Sequence, residues 1–212
     1  MLRGTRRQLI ALLSVFLAIS WIPAALADAA TDGARQFLRV AIDEAMSSLT
    51  DKNVPKAERV RRFTDFLYKY GDSPATQQGV LGRFWARATA EQQAEYLQLF
   101  ERYIVGSYVD EFTTLTPGER IDLRNAELRA DGRIIVHSVD VDPTDVDLPI
   151  EWILVQRPDG QYRVADAMIS GVSIVQKLTD EFTGIIRSNG GQVAALLAGM
   201  QAKIASYGQT RP

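Results

Sequence analysis

The spacing of apolar residues along the chain changes from a helical period to a strand period near Pro117. Before that point, large apolar residues recur every three or four positions, as on one face of an α-helix. The pattern predicts helices over residues 31–49, 55–70, 73–87 and 90–112. Gly71 is typical of a helix C-terminus, Ser73 of an N-cap, and Thr89 with Gln92 forms a capping-box pattern.

Beyond Pro117, apolar and polar residues alternate, which is the pattern of half-buried β-strands. Strands are predicted over residues 120–124, 133–141, 148–154 and 161–167. Short connections such as Pro158-Asp159-Gly160 favour antiparallel pairing. Gly171-Val172-Ser173 then leads into a helix that ends near Asn189, and a final helix carries Val193 to Ile204. The predicted fold is α+β, with a four-stranded antiparallel meander between N-terminal and C-terminal helices.

The first 27 residues have the organisation of a secretory signal peptide. Three arginines precede an apolar run, and Pro23 and the triplet Ala25-Leu26-Ala27 follow it. We therefore expect cleavage after Ala27, with residues 28–212 forming one domain. An uncleaved membrane anchor is the alternative, because residues 9–27 approach the roughly 20 needed to span a bilayer. The Arg6-Arg7 pair leaves the Sec and twin-arginine export routes both open.

Composition narrows the possible chemistry. The formal net charge is −2, and it falls by three to −5 without residues 1–27, which contain three arginines and no acid. Nucleic-acid binding is therefore not expected, since such domains are usually strongly basic. The chain has no cysteine and one histidine, which argues against disulfides, thiolate sites and His-rich metal sites. No cofactor and no metal are predicted.

The residues give little support for catalysis. His137 is the only imidazole base, and a triad would pair it with Ser138 or Ser173, but neither serine lies in a G-x-S-x-G elbow. A strand histidine without a catalytic role is the favoured interpretation. A cluster of carboxylates could suit Ca²⁺ but departs from the EF-hand pattern, so a solvated hairpin turn is favoured. The cluster is Asp140, Asp142, Asp145 and Asp147.

Two segments resemble a known family. Residues 79–108 read GVLGRFWARATAEQQAEYLQLFERYIVGSY, and residues 148–155 read LPIEWILV. After the turn, residues 162–175 read YRVADAMISGVSIV, which contains the pattern D-x-x-x-x-G-V-S-x-V. These features resemble the MlaC family of Mla-type ABC transport, also called the toluene-tolerance family, which includes hopanoid-transport-associated proteins of the HpnM type. The resemblance extends from about Phe37 to Lys203 and departs from the family's W-x-x-Y/F-D strand at Tyr162 to Asp166.

The resemblance implies a periplasmic shuttle that holds acyl chains between sheet and helices and has no catalytic residues. The implied ligand is a phospholipid or a hopanoid-like lipid. The implied partners are an inner-membrane ABC transporter complex with its periplasmic lipid-binding subunit, and an outer-membrane lipoprotein. An exported hydrolase and a structural adaptor remain alternatives, because periodicity does not distinguish a lined cavity from a solid core.

With that function as the hypothesis, the predicted lipid-binding residues combine four elements: the long helix, strands three and four of the meander, and the segment after the G-V-S turn. They are Tyr103, Ile104, Tyr108, Ile150, Trp152, Leu154, Tyr162, Val164, Val172, Val175 and Leu178.

Overall fold

A computed structural model describes residues 24–115 and 117–207 of the chain. Its helices are α1 (Ala24–Ser48), α2 (Lys56–Tyr70), α3 (Ser73–Leu81), α4 (Ala90–Tyr108), α5 (Ile174–Ser188) and α6 (Val193–Tyr207). Its strands are β1 (Arg120–Leu128), β2 (Ile134–Val141), β3 (Leu148–Gln156), β4 (Tyr162–Ile169) and β5 (Val172–Ser173). The α+β class predicted from the sequence is confirmed.

The predicted signal peptide lies mostly outside the described residues. Residues 1–23 are not described, and the expected cleavage point after Ala27 lies in the first turn of α1. Among residues 24–115 and 117–207, no helix has the length and apolar character needed to cross a bilayer.

The strands form one antiparallel sheet in the order β1-β2-β3-β4-β5. The sequence predicts four strands, and the structure adds β5, which pairs Val172 with Ile169 and Ser173 with Met168. Ser170 and Gly171 have φ values of 49° and 80°, so the chain reverses between β4 and β5 through two left-handed residues. A strand of two residues is too short to display a period, which is why the sequence predicted only a turn here.

The helix termini agree with the sequence prediction at the start of α4 and differ from it at both ends of α3. The Thr89 hydroxyl accepts a hydrogen bond from the Gln92 amide at 3.2 Å, and the Gln92 side chain accepts one from the Thr89 amide at 3.1 Å, which confirms the capping box. The N-cap of α3 is Asp72 rather than Ser73, and α3 ends at Leu81 instead of continuing to Arg87. A 3₁₀ helix over Gly82–Arg87 replaces its predicted second half.

Buried apolar side chains of the described residues form three separate cores, including one between α1, α2 and α4. Another core lies between α1 and the sheet, where Ala34 and Leu38 pack against Ile134, Val136 and Leu154. The largest core is helical and joins α3, the 3₁₀ helix, α4, α5 and α6. Since α1 lies mainly over β1 and β2, it leaves β4 to be covered by α2, α3 and α5. The candidate site lies in that region.

Candidate functional site

An open apolar cavity of about 350 Å³ lies between α2, α4, α5 and β4. Its volume falls within the range of about 300–1,000 Å³ that is usual for small-molecule sites. The lining side chains that are apolar or aromatic come from all four elements and from the turn after α4. They are Phe63, Leu67, Tyr68, Phe100, Ile104, Tyr108, Phe112, Val164, Ala165, Ala167, Ile169, Ile174, Val175 and Leu178.

A β-bulge shapes the strand that forms the floor of this cavity. Ile153 pairs with Asp166 and Leu154 pairs with Val164, so Ala165 is an additional residue in β4. The Ala165 carbonyl accepts a hydrogen bond from the Thr76 hydroxyl at 3.3 Å. The Asp72 amide donates to the Val164 carbonyl at 2.8 Å, which attaches the segment between α2 and α3 to the same strand.

Asp166 fixes the start of α5, which forms one wall of the cavity. Its carboxylate accepts hydrogen bonds from the amide of Val175 at 3.0 Å and from the hydroxyl of Ser173. The Ser173 hydroxyl in turn accepts from the Gln176 amide at 2.9 Å, so Ser173 is the N-cap of α5. The D-x-x-x-x-G-V-S-x-V pattern therefore encodes a strand, a tight turn and a capped helix held by one carboxylate.

Polar side chains lie in and beside the cavity. Tyr68, which is 59% exposed, donates a hydrogen bond from its hydroxyl to the Glu101 carboxylate. The pKa of the Tyr68 hydroxyl is raised, mainly by this hydrogen bond and secondly by burial. Arg157 forms an ion pair with Asp72, whose side chain is only 9% exposed. Burial raises the pKa of Tyr108.

Some of the predicted lipid-binding residues line this cavity. Ile104 and Tyr108 reach it from α4, Val164 from β4, and Val175 and Leu178 from α5. The structure thus brings together predicted residues from three elements that are up to 74 positions apart in the sequence, from Ile104 to Leu178.

The other predicted residues of the sheet lie elsewhere. Leu154 is fully buried beneath α1, and Trp152 packs at the edge of that core with its indole N–H donating to Ser138 at 2.8 Å. Tyr162 contacts α1 as well, since its hydroxyl donates to the Ala30 carbonyl at 3.1 Å. Ile150 is buried in the sheet and is paired with Ser138 and Ile169.

Tyr103 and Val172 also lie away from the cavity lining. Tyr103 is buried in the helical core, where its hydroxyl donates to Glu181 at 2.6 Å and its ring meets Phe182 edge-on at 5.3 Å. Burial, with this hydrogen bond second, raises the pKa of Tyr103. Val172 is 58% exposed on the edge strand β5.

Sequence reasoning missed the contribution of α2 and the small residues of β4. The apolar stripe of α2 containing Phe63 and Leu67 was visible, but its period does not indicate which element it faces. Ala165 and Ala167 provided a signal, because two small residues interrupt a strand whose neighbours are larger. Small side chains leave space above the floor of a cavity.

The candidate catalytic residues form unrelated local contacts. The imidazole nitrogens of His137 lie 3.5 Å from Glu127 and 3.6 Å from Glu151 across the sheet surface. The Ser138 hydroxyl is bonded to Ile150 and Trp152, and Ser173 caps α5. The side chains of His137, Ser138 and Ser173 thus contact other groups and do not contact one another as a triad would require.

The aspartates considered for Ca²⁺ lie at the β2–β3 hairpin. Thr144 donates from its amide and its hydroxyl to Asp142, both at 2.8 Å, which is an Asx-type turn. Among the described residues, no group of three or more potential ligands has an arrangement that could hold a metal ion. Burial, followed by repulsion from Glu119, Asp142 and Asp147, raises the pKa of Asp140 to about 6.

We expect Asp140→Asn to stabilise the protein at neutral pH. The raised pKa means that the folded state binds this proton more tightly than the unfolded chain, in which the pKa of Asp is about 3.9. The favourable contribution is present below pH about 4 and is lost as the pH rises through about 6. The melting temperature of the variant should therefore exceed that of the parent at pH 7.5 and match it near pH 4.

Asp145→Asn removes an exposed carboxylate from the same hairpin and is the matched control for the loss of one charge. Thermal unfolding at several pH values measures both variants. A gain for Asp140→Asn that is independent of pH, or equal to that of Asp145→Asn, would contradict this account.

Taken together, the fold and the cavity define a class of α+β protein with an open apolar cavity between helices and the end of a meander sheet. The sequence model described as MlaC protein matches residues 39–202. The chain belongs to the MlaC family. A search of curated proteins finds no match.

A solved structure shows the same fold. It is the phospholipid-binding protein from Ralstonia solanacearum in complex with a phospholipid, and the two chains superpose with a TM-score of 0.73. Their identity is 20%, and the alignment covers 82% of this chain and 98% of the other. At this identity the similarity establishes the fold.

Proposed function

We propose that this protein is a periplasmic carrier that binds a phospholipid and moves it between membrane-bound components of an ABC-type lipid transport system. The observation that carries the proposal is the apolar cavity between α2, α4, α5 and β4, in a chain of the MlaC family. The phospholipid bound by the Ralstonia solanacearum protein, which has the same fold, supports the choice of ligand.

The cavity suits the apolar part of a lipid for a simple energetic reason. Each methylene group removed from water contributes about 0.8 kcal/mol, so an acyl chain does not cross an aqueous compartment unshielded. Side chains such as Leu67, Ile104 and Val175 offer an apolar surface in its place. The cavity is open to solvent, and the polar groups of Tyr68 and Glu101 line it, so a head group would stay near water while the acyl chain is enclosed.

The location and partners follow from the same hypothesis. The signal-peptide pattern of residues 1–27 supports export, with the carrier beginning at Asp28 as one domain. The expected partners are an inner-membrane transporter complex with its periplasmic lipid-binding subunit, and an outer-membrane lipoprotein.

The proposal predicts that lipid co-purifies with the protein. Protein exported to the periplasm of an expression host and purified without detergent should show, in native mass spectrometry, an added mass in the phospholipid range. The added mass should disappear under denaturing conditions, because the ligand is held without a covalent bond. Extraction and fragmentation then identify the lipid.

Other outcomes would contradict the proposal in distinct ways. If a hopanoid were the only lipid bound, the protein would be a carrier of that lipid class and not of phospholipids. Turnover of an ester substrate that is lost in His137→Gln would favour a hydrolase. A protein that stays free of lipid after incubation with phospholipid vesicles would favour a structural adaptor.

A further inference from the structure

A second, more polar cavity adjoins the apolar one. It has a volume of about 470 Å³, and we call it the polar annex. Five residues line both spaces, so the two cavities share one wall: Tyr68, Gly71, Ser73, Gln77 and Glu101. An amphiphilic molecule that fills the apolar cavity would therefore have its polar end at the annex.

Two arginines line the annex, and they differ in their partners. The charge of Arg157 is balanced by the buried carboxylate of Asp72. Arg163 is half-buried and donates to two neutral oxygens, the Tyr162 carbonyl and the Gln161 side-chain oxygen, each at 2.7 Å. Within the part of the chain that the structure describes, Arg163 forms no ion pair. The positive charge of Arg163 is therefore not balanced by a carboxylate of the described residues, and the side chain lines a cavity that a ligand could enter.

The guanidinium group suits a phosphate in particular. Arg carries five N–H donors in a planar fork, and its bonds to phosphate are charge-assisted and often bidentate. The contacts to Tyr162 and Gln161 hold the side chain of Arg163 in place and occupy only part of this donor set. The remaining donors are available to a phosphodiester.

The annex also has carboxylates. Glu101 and Asp159 both line it, and each accepts a hydrogen bond from a neutral group, Tyr68 hydroxyl and Gln161 amide respectively. A ligand carrying only negative charge would meet repulsion from both side chains. A phosphate joined to an ammonium group would be attracted by Arg163 and by the carboxylates at once.

Resting on the proposed lipid-carrier function, we infer that the polar annex recognises a zwitterionic phosphate head group, with Arg163 binding the phosphate and Glu101, assisted by Asp159, binding the amine. Arg163 is then the residue that selects phospholipids over lipids without phosphate, and Glu101 selects an amine-bearing head group over an uncharged one. The acyl chains contribute affinity but not this selection.

A competition among lipids with identical acyl chains tests the inference. The exported protein is incubated with vesicles holding equal amounts of phosphatidylethanolamine, phosphatidylglycerol and diacylglycerol, re-isolated, and its lipids are quantified by mass spectrometry. We expect Arg163→Gln to lower the ratio of both phospholipids to diacylglycerol by about tenfold, equivalent to about 1.4 kcal/mol, without lowering total lipid per protein. Glu101→Gln should lower the ratio of phosphatidylethanolamine to phosphatidylglycerol by about threefold and leave the selection for phosphate intact.

Arg124→Gln is the matched control, because Arg124 lies on strand β1 and lines neither space. The inference is overturned if Arg163→Gln keeps the parent's lipid ratios, or if the parent protein takes up diacylglycerol as readily as phospholipid. The amine assignment is overturned if Glu101→Gln does not change the ratio of the two phospholipids. A parent protein that takes up no lipid at all refutes the carrier function itself, and is distinguished by total lipid content.

Discussion

Replacing Ala167 by tryptophan is expected to exclude lipid from the cavity while the protein remains folded. Ala167 and Ile169 alternate on one face of β4 and both line the cavity, so an indole at position 167 projects into the ligand space. We expect lipid content to fall at least about tenfold, since the acyl chain and the indole compete for the same volume. Filling an existing cavity leaves the free energy of unfolding unchanged or raises it by up to about 2 kcal/mol.

The matched control is Met168→Trp. Met168 is the next residue on the same strand, its side chain lies on the opposite face by strand alternation, and it does not line the cavity. This variant should keep its lipid. If Ala167→Trp is instead destabilised by about 1–3 kcal/mol, the cost typical of an overpacked core, then the space is not available to a ligand. Retention of full lipid content in a folded Ala167→Trp variant would place the lipid elsewhere.

The pattern of apolar residues predicted the elements well and their partners less well. On β3, alternation correctly places Ile150, Trp152 and Leu154 on one face, because they pair in register with Ser138, Val136 and Ile134. Alternation does not state what covers that face. The answer is α1, whose Leu38 packs on Leu154, and a helix covers only part of a sheet, so the cavity lies farther along, over β4.

The long helix α4 illustrates a related limit. Its aromatic face is broad enough to contact both the helical core and the cavity, and two adjacent residues on it differ in their surroundings. Tyr103 is buried in the core with Phe182, whereas Ile104 packs against that core and also lines the cavity. Adjacent side chains point about 100° apart around a helix, and the positions of α2, α5 and α6 determine what each of the two residues contacts. Tertiary packing therefore determines which side of such a face meets a ligand.

The carboxylate of Asp166 connects two walls of the cavity. Asp166 joins the end of β4 to the start of α5 through Ser173 and Val175, and it also accepts from the Ala167 amide at 2.8 Å. Ile174, Val175 and Leu178, all beyond this junction, form the α5 wall of the cavity. Loss of the carboxylate would release that wall from the sheet.

Asp166→Ala is accordingly expected to lower the free energy of unfolding by about 3 kcal/mol. A hydrogen bond to a charged group contributes about 1.5–3 kcal/mol, and the amide groups of Ala167 and Val175 would each lose an acceptor. The effect should fall short of a full sum, because these bonds share one side chain and are not independent. Urea unfolding measures the change, and lipid content measured beside it should fall as α5 loses its anchor.

Two further variants separate the carboxylate from the helix cap. Ser173→Ala removes a hydroxyl that caps α5 and should cost about 1 kcal/mol, while the bond from the Val175 amide to Asp166 persists. Asp166→Asn keeps one acceptor oxygen and loses the charge, so its stability should lie between those of the parent and Asp166→Ala. If Asp166→Ala is no less stable than Ser173→Ala, the junction is held by the apolar packing of Leu178 and its neighbours and not by the carboxylate.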